Sequence, residues 1–314
     1  MKATRAPGTW RILDTSWRIH LKPHVAHVIA RDFTPAHARR VFDDLQRLKT
    51  GTSAQLEAFK ALRRIFKFAI EKLYVARNPL EGIPAPKHEP GTYEVWSFNE
   101  AKQFMDLARD QPFFAGCVLG LAAGLRAAEI RGLRWRDVDL KACTVTIRQQ
   151  STTHDGIRPP KTKSSRRTIS LPLIAVEALK AHRAQQAKIA QYVFSGSDGE
   201  PITQGVQHGL WKKALKAAGV PEIRMHDLRH STATFLIASG EPANVVAEIL
   251  GHRDASITMR VYSHILAPMR EHAASTLDGI LRGEPMESHR GPKADAGGDK
   301  PEMETGQKPR KNKL

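Results

Sequence analysis

The sequence predicts a mainly α-helical chain with one small antiparallel β-sheet. Three observations carry this. Apolar residues recur at helical spacing through most of the chain, most regularly over 53–76. One stretch, CTVTIRQ at 143–149, alternates in apolar character and reads as a strand, with 158–171 as its partner and Thr152–Gly156 as a turn. A Pro- and Gly-rich segment, GIPAPKHEPGTYEV, interrupts the helices and reads as a linker. A chain of 314 residues can bury a full core and has room for two domains. The expected division is a helical domain over 1–84, a linker over 85–95, a larger domain over 96–282 and a disordered tail over 283–314.

Composition narrows the partner. Lys and Arg number 49 against 32 Asp and Glu, a net charge of +17 with a pI near 10.1. Nucleic acid is the default partner for such a balance, and affinity should then fall steeply with salt. No apolar run reaches the roughly 18 residues of a membrane span. The richest, Phe113–Leu125, is broken by three glycines. The N-terminus has no apolar signal core, which predicts a chain that is not exported. Cys117 and Cys143 are read as free thiols in a reducing cytoplasm.

In the first domain, residues 1–22 form a short apolar element leading to HLKPHV, where Pro23 is expected to break any helix. Thr34-Pro35 caps a helix that turns Ala38, Val41, Phe42 and Leu45 inward. Lys49–Ser53 is a turn. The long helix over 53–76 buries Leu56, Phe59, Leu62, Ile65, Phe66, Ala69 and Leu73. Its outer face carries Lys60, Arg63, Arg64 and Lys67, either a solvated face or one that meets DNA.

In the second domain, Ser97 or Asn99 caps a helix through Arg109, and Phe113–Ala123 is a buried helix. Arg126 and Glu129 follow, three apart at a helix start, where a carboxylate also suits the helix dipole. Arg131, Arg134 and Arg136 read as surface or DNA-contact residues. The basic strand pair over 143–171 is expected to turn its charges toward DNA. Helices over 172–190 and 204–218 flank the short apolar segment Tyr192-Val193-Phe194.

The densest chemistry lies in HDLRHSTATFLIASGEPANVVAEILGHRDASITMRVYSH, residues 226–264. His226 and Arg229 are three apart and share a helix face. Gly240 ends that helix, a second fits 242–250, Gly251 stops it, and a third over 256–265 carries Tyr262. A phenol, pKa about 10, is a poor nucleophile at neutral pH without help. Arginines and histidine donors around a phosphate would stabilise the charge of a transition state, so the set suits phosphodiester cleavage by a tyrosine.

The pattern HDLRH, then ILGH, then a Tyr ten positions past that His resembles the second conserved box of the tyrosine recombinases, the lambda-integrase (phage integrase) family. GLRAAEIRGLRWRDVD resembles the first box, and PKTKSSRRTISLP the strand that carries the family's lysine. The resemblance implies a tyrosine recombinase catalytic core fold preceded by a small helical core-binding domain. It implies Tyr262 as nucleophile, with Arg126, Arg229 and His252 on the phosphate oxygens and His226 assisting the proton. Lys161, with Lys163 as the alternative, would protonate the leaving 5′ oxygen, and Glu129 would support the site. The implied DNA contacts are Lys60, Arg63, Arg64, Lys67, Lys163, Arg166 and Arg167. The activity implied is site-specific DNA recombination for integration or excision of a mobile element.

The implied partner is double-stranded DNA with attachment-type sites. The implied assembly is a homotetramer on DNA, from a chain that can be monomeric in solution, with room for a DNA-bending accessory protein. No cofactor, metal or membrane enters, and the location is the prokaryotic cytoplasm, at the nucleoid. The core-binding domain ordinarily has a further helix before its HLKP-like segment, and this chain is read as starting too late for one. Three other readings compete: an integrase relic that binds DNA without cutting, a type IB topoisomerase, and a metallohydrolase using His226, His230, His252 and His264. The last lacks the His-Glu-x-x-His pattern and a carboxylate cluster.

Overall fold

The structure, a computed structural model, describes residues 7–88, 94–160, 166–186 and 188–251. The chain divides into two compact units, Met1–Thr92 and Tyr93–Leu314, each with its own apolar core. None of the described helices is long and apolar enough to cross a membrane.

The first unit is helical. Helix α1 (Pro7–Thr15) runs into a π-helical turn at Ser16–Leu21 and then α2 (Lys22–Val25). One expectation fails here. Pro23 does not end a helix but sits in the first turn of α2, where its missing N–H costs nothing. Helix α1 and the π-helical turn form the short element expected ahead of the HLKP segment. Helix α3 (Pro35–Arg47) starts as read: the Thr34 hydroxyl accepts from the His37 N–H, and His37 Nδ1 accepts from the Thr34 N–H. Ala38, Val41 and Leu45 are buried.

Helix α4 (Thr52–Glu71) stops five residues short of the expected 76. Leu73 has φ +56°, in the left-handed region, and Tyr74 N–H bonds back to the Ala69 carbonyl, closing the helix. That turn throws Leu73 outward, and Ile65 also faces solvent. Ala58 and Ala61 take up the face instead, beside Phe59, Leu62 and Phe66. Small residues there admit the aromatic packing of Phe42 on Phe59 and Phe33 on Phe66.

The second unit opens with α5 (Phe98–Leu107), capped by Ser97 and Glu100 in a reciprocal pair. Helix α6 (Phe114–Ala122) is apolar all round and buried. Helix α7 (Ala127–Arg131) is short. Strands β1 (Val138–Asp139) and β2 (Thr144–Ile147) follow, then β3 (Gln150–Thr152), β4 (Gly156–Arg158) and β5 (Arg167–Ser170). The sheet runs β1-β2-β5, all antiparallel, while β3 and β4 form a separate hairpin. Helix α8 (Leu173–Ala184) starts at Pro172 and ends earlier than the expected 190. Helix α9 (Gln204–Ala218) matches its expected span and ends on left-handed Gly219. Helices α10 (Asp227–Ala238) and α11 (Ala243–Leu250) close the described chain.

Of the two cysteines, both free, Cys117 is buried and Cys143 is half-buried. Burial pushes the Cys117 thiol well above the ordinary range, so it is inert at neutral pH. The helix expected at 256–265 and the tail at 283–314 lie outside the described residues.

Candidate active site

Helices α6 and α10 set the frame. Thr232 Oγ1 lies 2.7 Å from the Leu121 carbonyl and 2.9 Å from that of Leu228. Gly120 lets Leu228 approach, since a Cβ there would stand 3.1 Å from Leu228 Cδ1. At the start of α10, the buried Asp227 accepts from the N–H and guanidinium of Arg224. Its own carbonyl accepts from Ser231, whose Oγ in turn accepts from the Trp96 N–H. These bonds satisfy buried polar groups and fix where Arg229 points.

Arg229 is 2% exposed and donates from Nη1 to the Gly124 carbonyl at 2.7 Å. Gly124 has φ +61°, and a Cβ on it would lie 2.5 Å from Leu250 Cδ2. The left-handed φ favours glycine, and a Cβ would also force the buried Leu250 side chain to shift. Two residues on, Arg126 occupies the N-cap position of α7. Its N–H donates to Glu129 Oε2 at 3.0 Å, its Nη1 to Oε1 at 2.8 Å, and its Nη2 to the Gly251 carbonyl at 3.1 Å. Gly251, φ +63°, is the C-terminal cap of α11. Each arginine is therefore held by the carbonyl of a left-handed glycine: Arg229 by Gly124, two residues before Arg126, and Arg126 by Gly251, the cap of α11. Arg126 keeps part of its surface open, its side chain 29% exposed.

Glu129 is buried and serves two guanidiniums, those of Arg126 and Arg167. Burial alone would push its carboxyl up. The hydrogen bond and charge of Arg167, with the charge of Arg126, outweigh that and hold it below the usual carboxylate range. Removing one partner of such a buried set leaves an uncompensated charge, typically worth about 3–5 kcal/mol. The carboxylate thus does more than suit the helix dipole.

His226 immediately precedes α10 and keeps an open face. Partial burial, then the Arg229 guanidinium, lowers its pKa below 6.5, so the ring is neutral at pH 7. Its ring meets that of His230 edge-on at 5.4 Å. His230 is lowered further, to about 4, by burial and by His226. His252 and His264, the other members of the metal set weighed from sequence, lie outside the described residues.

Several assignments change. Arg167, expected on DNA, turns inward: its side chain is 7% exposed. Arg131, expected at the surface, is buried and donates to Gln207 Oε1 and, at 2.8 Å, to the Ser151 carbonyl. It ties α7 to α9 and the β3–β4 hairpin. Arg134 pairs with the buried Asp137 at 3.2 Å. Arg166 remains exposed. In the first unit Lys60, Arg63, Arg64 and Lys67 line a cleft of about 990 Å³ with Arg77, Asn78 and Glu81, and Lys60 is paired with Glu57 at 2.7 Å. Lys161, Lys163, His252 and Tyr262 lie outside the described residues.

The arrangement is an electropositive corner with one guanidinium partly open and a neutral imidazole at its edge. It suits a phosphodiester. Comparison with known proteins points the same way. Residues 95–268 match the phage integrase family. The tyrosine recombinase XerC-like protein of Caldanaerobacter subterraneus is 30% identical over 251 residues, 70% of this chain and 64% of that protein. The chain thus spans somewhat under two thirds of this relative. The fold is similar to that of the Tn1549 transposon integrase in complex with a circular intermediate DNA, with a TM-score of 0.73 at 19% identity, covering 88% of this chain and 95% of the other. It is also similar to lambda integrase, solved as a tetramer bound to a Holliday junction, with a TM-score of 0.61 at 16% identity over 81% and 74% of the two chains.

Proposed function

The chain belongs to the phage integrase family, and on that premise we propose that it is a site-specific DNA recombinase acting through a 3′-phosphotyrosyl intermediate. The observation that carries this is the bracing of Arg126 by the Gly251 carbonyl and of Arg229 by the Gly124 carbonyl, two residues before Arg126. It brings together two arginines that lie a hundred residues apart in the chain.

In this reading Tyr262 attacks the scissile phosphorus and the 5′ oxygen leaves. Arg126, Arg229 and His252 take the non-bridging oxygens, whose charge grows in the transition state. His226, neutral at pH 7, accepts or relays the phenolic proton. Lys161 gives a proton to the leaving 5′ oxygen, with Lys163 as the alternative donor. The protein–DNA ester keeps the bond energy, so a 5′ hydroxyl from a second duplex reverses the step and completes strand exchange without ATP.

The partner is double-stranded DNA bearing attachment-type sites of a mobile element, and the working form is a homotetramer at the bacterial nucleoid. A DNA-bending accessory protein fits this scheme. The exposed Lys60, Arg63 and Lys67, with Arg64 beside them, supply phosphate contacts from the first unit.

The test is covalent trapping. The protein is incubated in EDTA with a nicked duplex built from the DNA flanking its own gene, then run on a denaturing gel. A protein–DNA adduct that survives denaturation supports the reading. Binding without an adduct contradicts it.

A further inference from the structure

Arg167 has no role in the mechanism above, yet it joins three of its parts. Its Nη1 and Nη2 donate to Glu129 Oε1 and Oε2, both at 3.1 Å, a fork on a carboxylate. Its Nε donates to the Ile249 carbonyl at 2.9 Å. Its guanidinium lies over Gly251, where a Cβ would approach Nη1 and Cδ to 3.0 Å. Arg167 opens β5, two residues after the lysine-bearing segment 161–165 and in register with Ile147. One side chain therefore connects that strand, the carboxylate that holds Arg126, and the helix end whose carbonyl also holds Arg126.

We propose that Arg167 is a positioning residue, which clamps Glu129 against the Ile249–Gly251 turn and so sets where the Arg126 guanidinium stands. The inference rests on the recombinase reading. Arg126 has two fixed acceptors, Glu129 Oε1 and the Gly251 carbonyl. Both belong to segments that Arg167 grips. Without the fork, Glu129 can turn and the α11 end can shift, and Arg126 follows them. A displacement of about 1 Å at a charge-stabilising group can cost on the order of 10²-fold in rate. Lysine cannot substitute: it brings the charge as a single point and cannot meet two carboxylate oxygens and a carbonyl in one plane. A DNA contact would behave otherwise, weakening affinity and flattening its salt dependence.

The experiment compares the parent chain with Arg167→Lys and Arg167→Gln. It reads melting midpoint, affinity for the nicked flanking duplex by gel shift, and single-turnover adduct formation at saturating duplex, well below every midpoint. The Lys variant keeps the buried positive charge opposite Glu129 and is expected to fold, so the result does not depend on the Gln variant folding. It should bind the duplex within about threefold of the parent and form adduct at least about tenfold more slowly. The Gln variant, where it folds, should be slower still. A loss of less than tenfold for Arg167→Lys at saturating duplex overturns the inference, whatever happens to affinity. A weakened affinity with an unchanged rate would make Arg167 a phosphate contact. If the parent forms no adduct, the recombinase reading itself falls and takes this inference with it; if the parent does and the variants match it, only the inference falls.

Discussion

Arg229 Nη1 donates to the main-chain carbonyl of Gly124 at 2.7 Å, across more than a hundred residues of sequence. The carbonyl can point that way because Gly124 has a left-handed φ of +61°. The same turn delivers Arg126 two residues later. Gly124→Ala therefore has two costs, a backbone conformation that alanine disfavours and a Cβ 2.5 Å from Leu250 Cδ2. It should lower stability by about 1–3 kcal/mol. Thermal and denaturant melts check this, and an unchanged midpoint would contradict it.

Arg126 is the more open of the two arginines. Arg126→Ala should leave DNA binding largely intact and slow adduct formation on the order of 10³-fold. Arg126→Lys should recover only part of that, because a point charge cannot hold Glu129 and Gly251 together while facing a phosphate. Single-turnover trapping at saturating duplex separates these outcomes. Full recovery by lysine would mean that charge alone suffices.

His230 gives a stability test by pH. Its pKa is lowered from 6.5 to about 4 in the folded chain by burial and by the neighbouring His226. The unfolded chain therefore binds a proton that the folded chain refuses across that window. Stability should fall as pH drops from about 6.5 to about 4. Glu129, held below its usual range, adds a loss of the same sign below 4.5. His226 adds to the loss that begins near 6.5. His230→Gln should make the melting midpoint less dependent on pH in the upper window. An identical pH slope in the variant would contradict the account.

The basic face of α4 gives a salt test. If Lys60, Arg63 and Lys67 meet phosphates, each change to Gln should reduce the slope of log affinity against log salt by about 0.9. It should do so equally on specific and random duplexes. An unchanged slope would return this face to plain solvation, and Lys60, already paired with Glu57, is the first suspect.

Within the described residues, the parts of the candidate site that were legible are written in local patterns. Arg126 and Glu129 stand three apart and do meet, and Gly251 does stop a helix. The sequence could not show which distant carbonyls hold the arginines, since Gly124 meets Arg229 only through the packing of α6 on α10. Arg167 was misread for a different reason: a charge in a basic run looks like surface. Strand alternation carried the opposite signal. Arg167 and Ile169 share one face of β5, Leu171 follows at the same spacing just past the strand, and Ile169 and Leu171 are buried. Arg131 was misread likewise, since on the short α7 nothing in the spacing shows that Gln207 and Ser151 are waiting for it. In the first unit, helical spacing alone placed Ile65 and Leu73 inward. The left-handed turn at Leu73 ended the helix earlier than apolar periodicity indicated.

The most direct test of the central claim is to identify the residue that carries the DNA. The adduct formed on the nicked flanking duplex is digested with nuclease and protease, and the modified peptide is mapped by mass spectrometry beside a Tyr262→Phe control. The account predicts a nucleotide joined through a 3′ phosphate to Tyr262, and no adduct in the variant. An adduct that persists in Tyr262→Phe, or maps to another side chain, would contradict it.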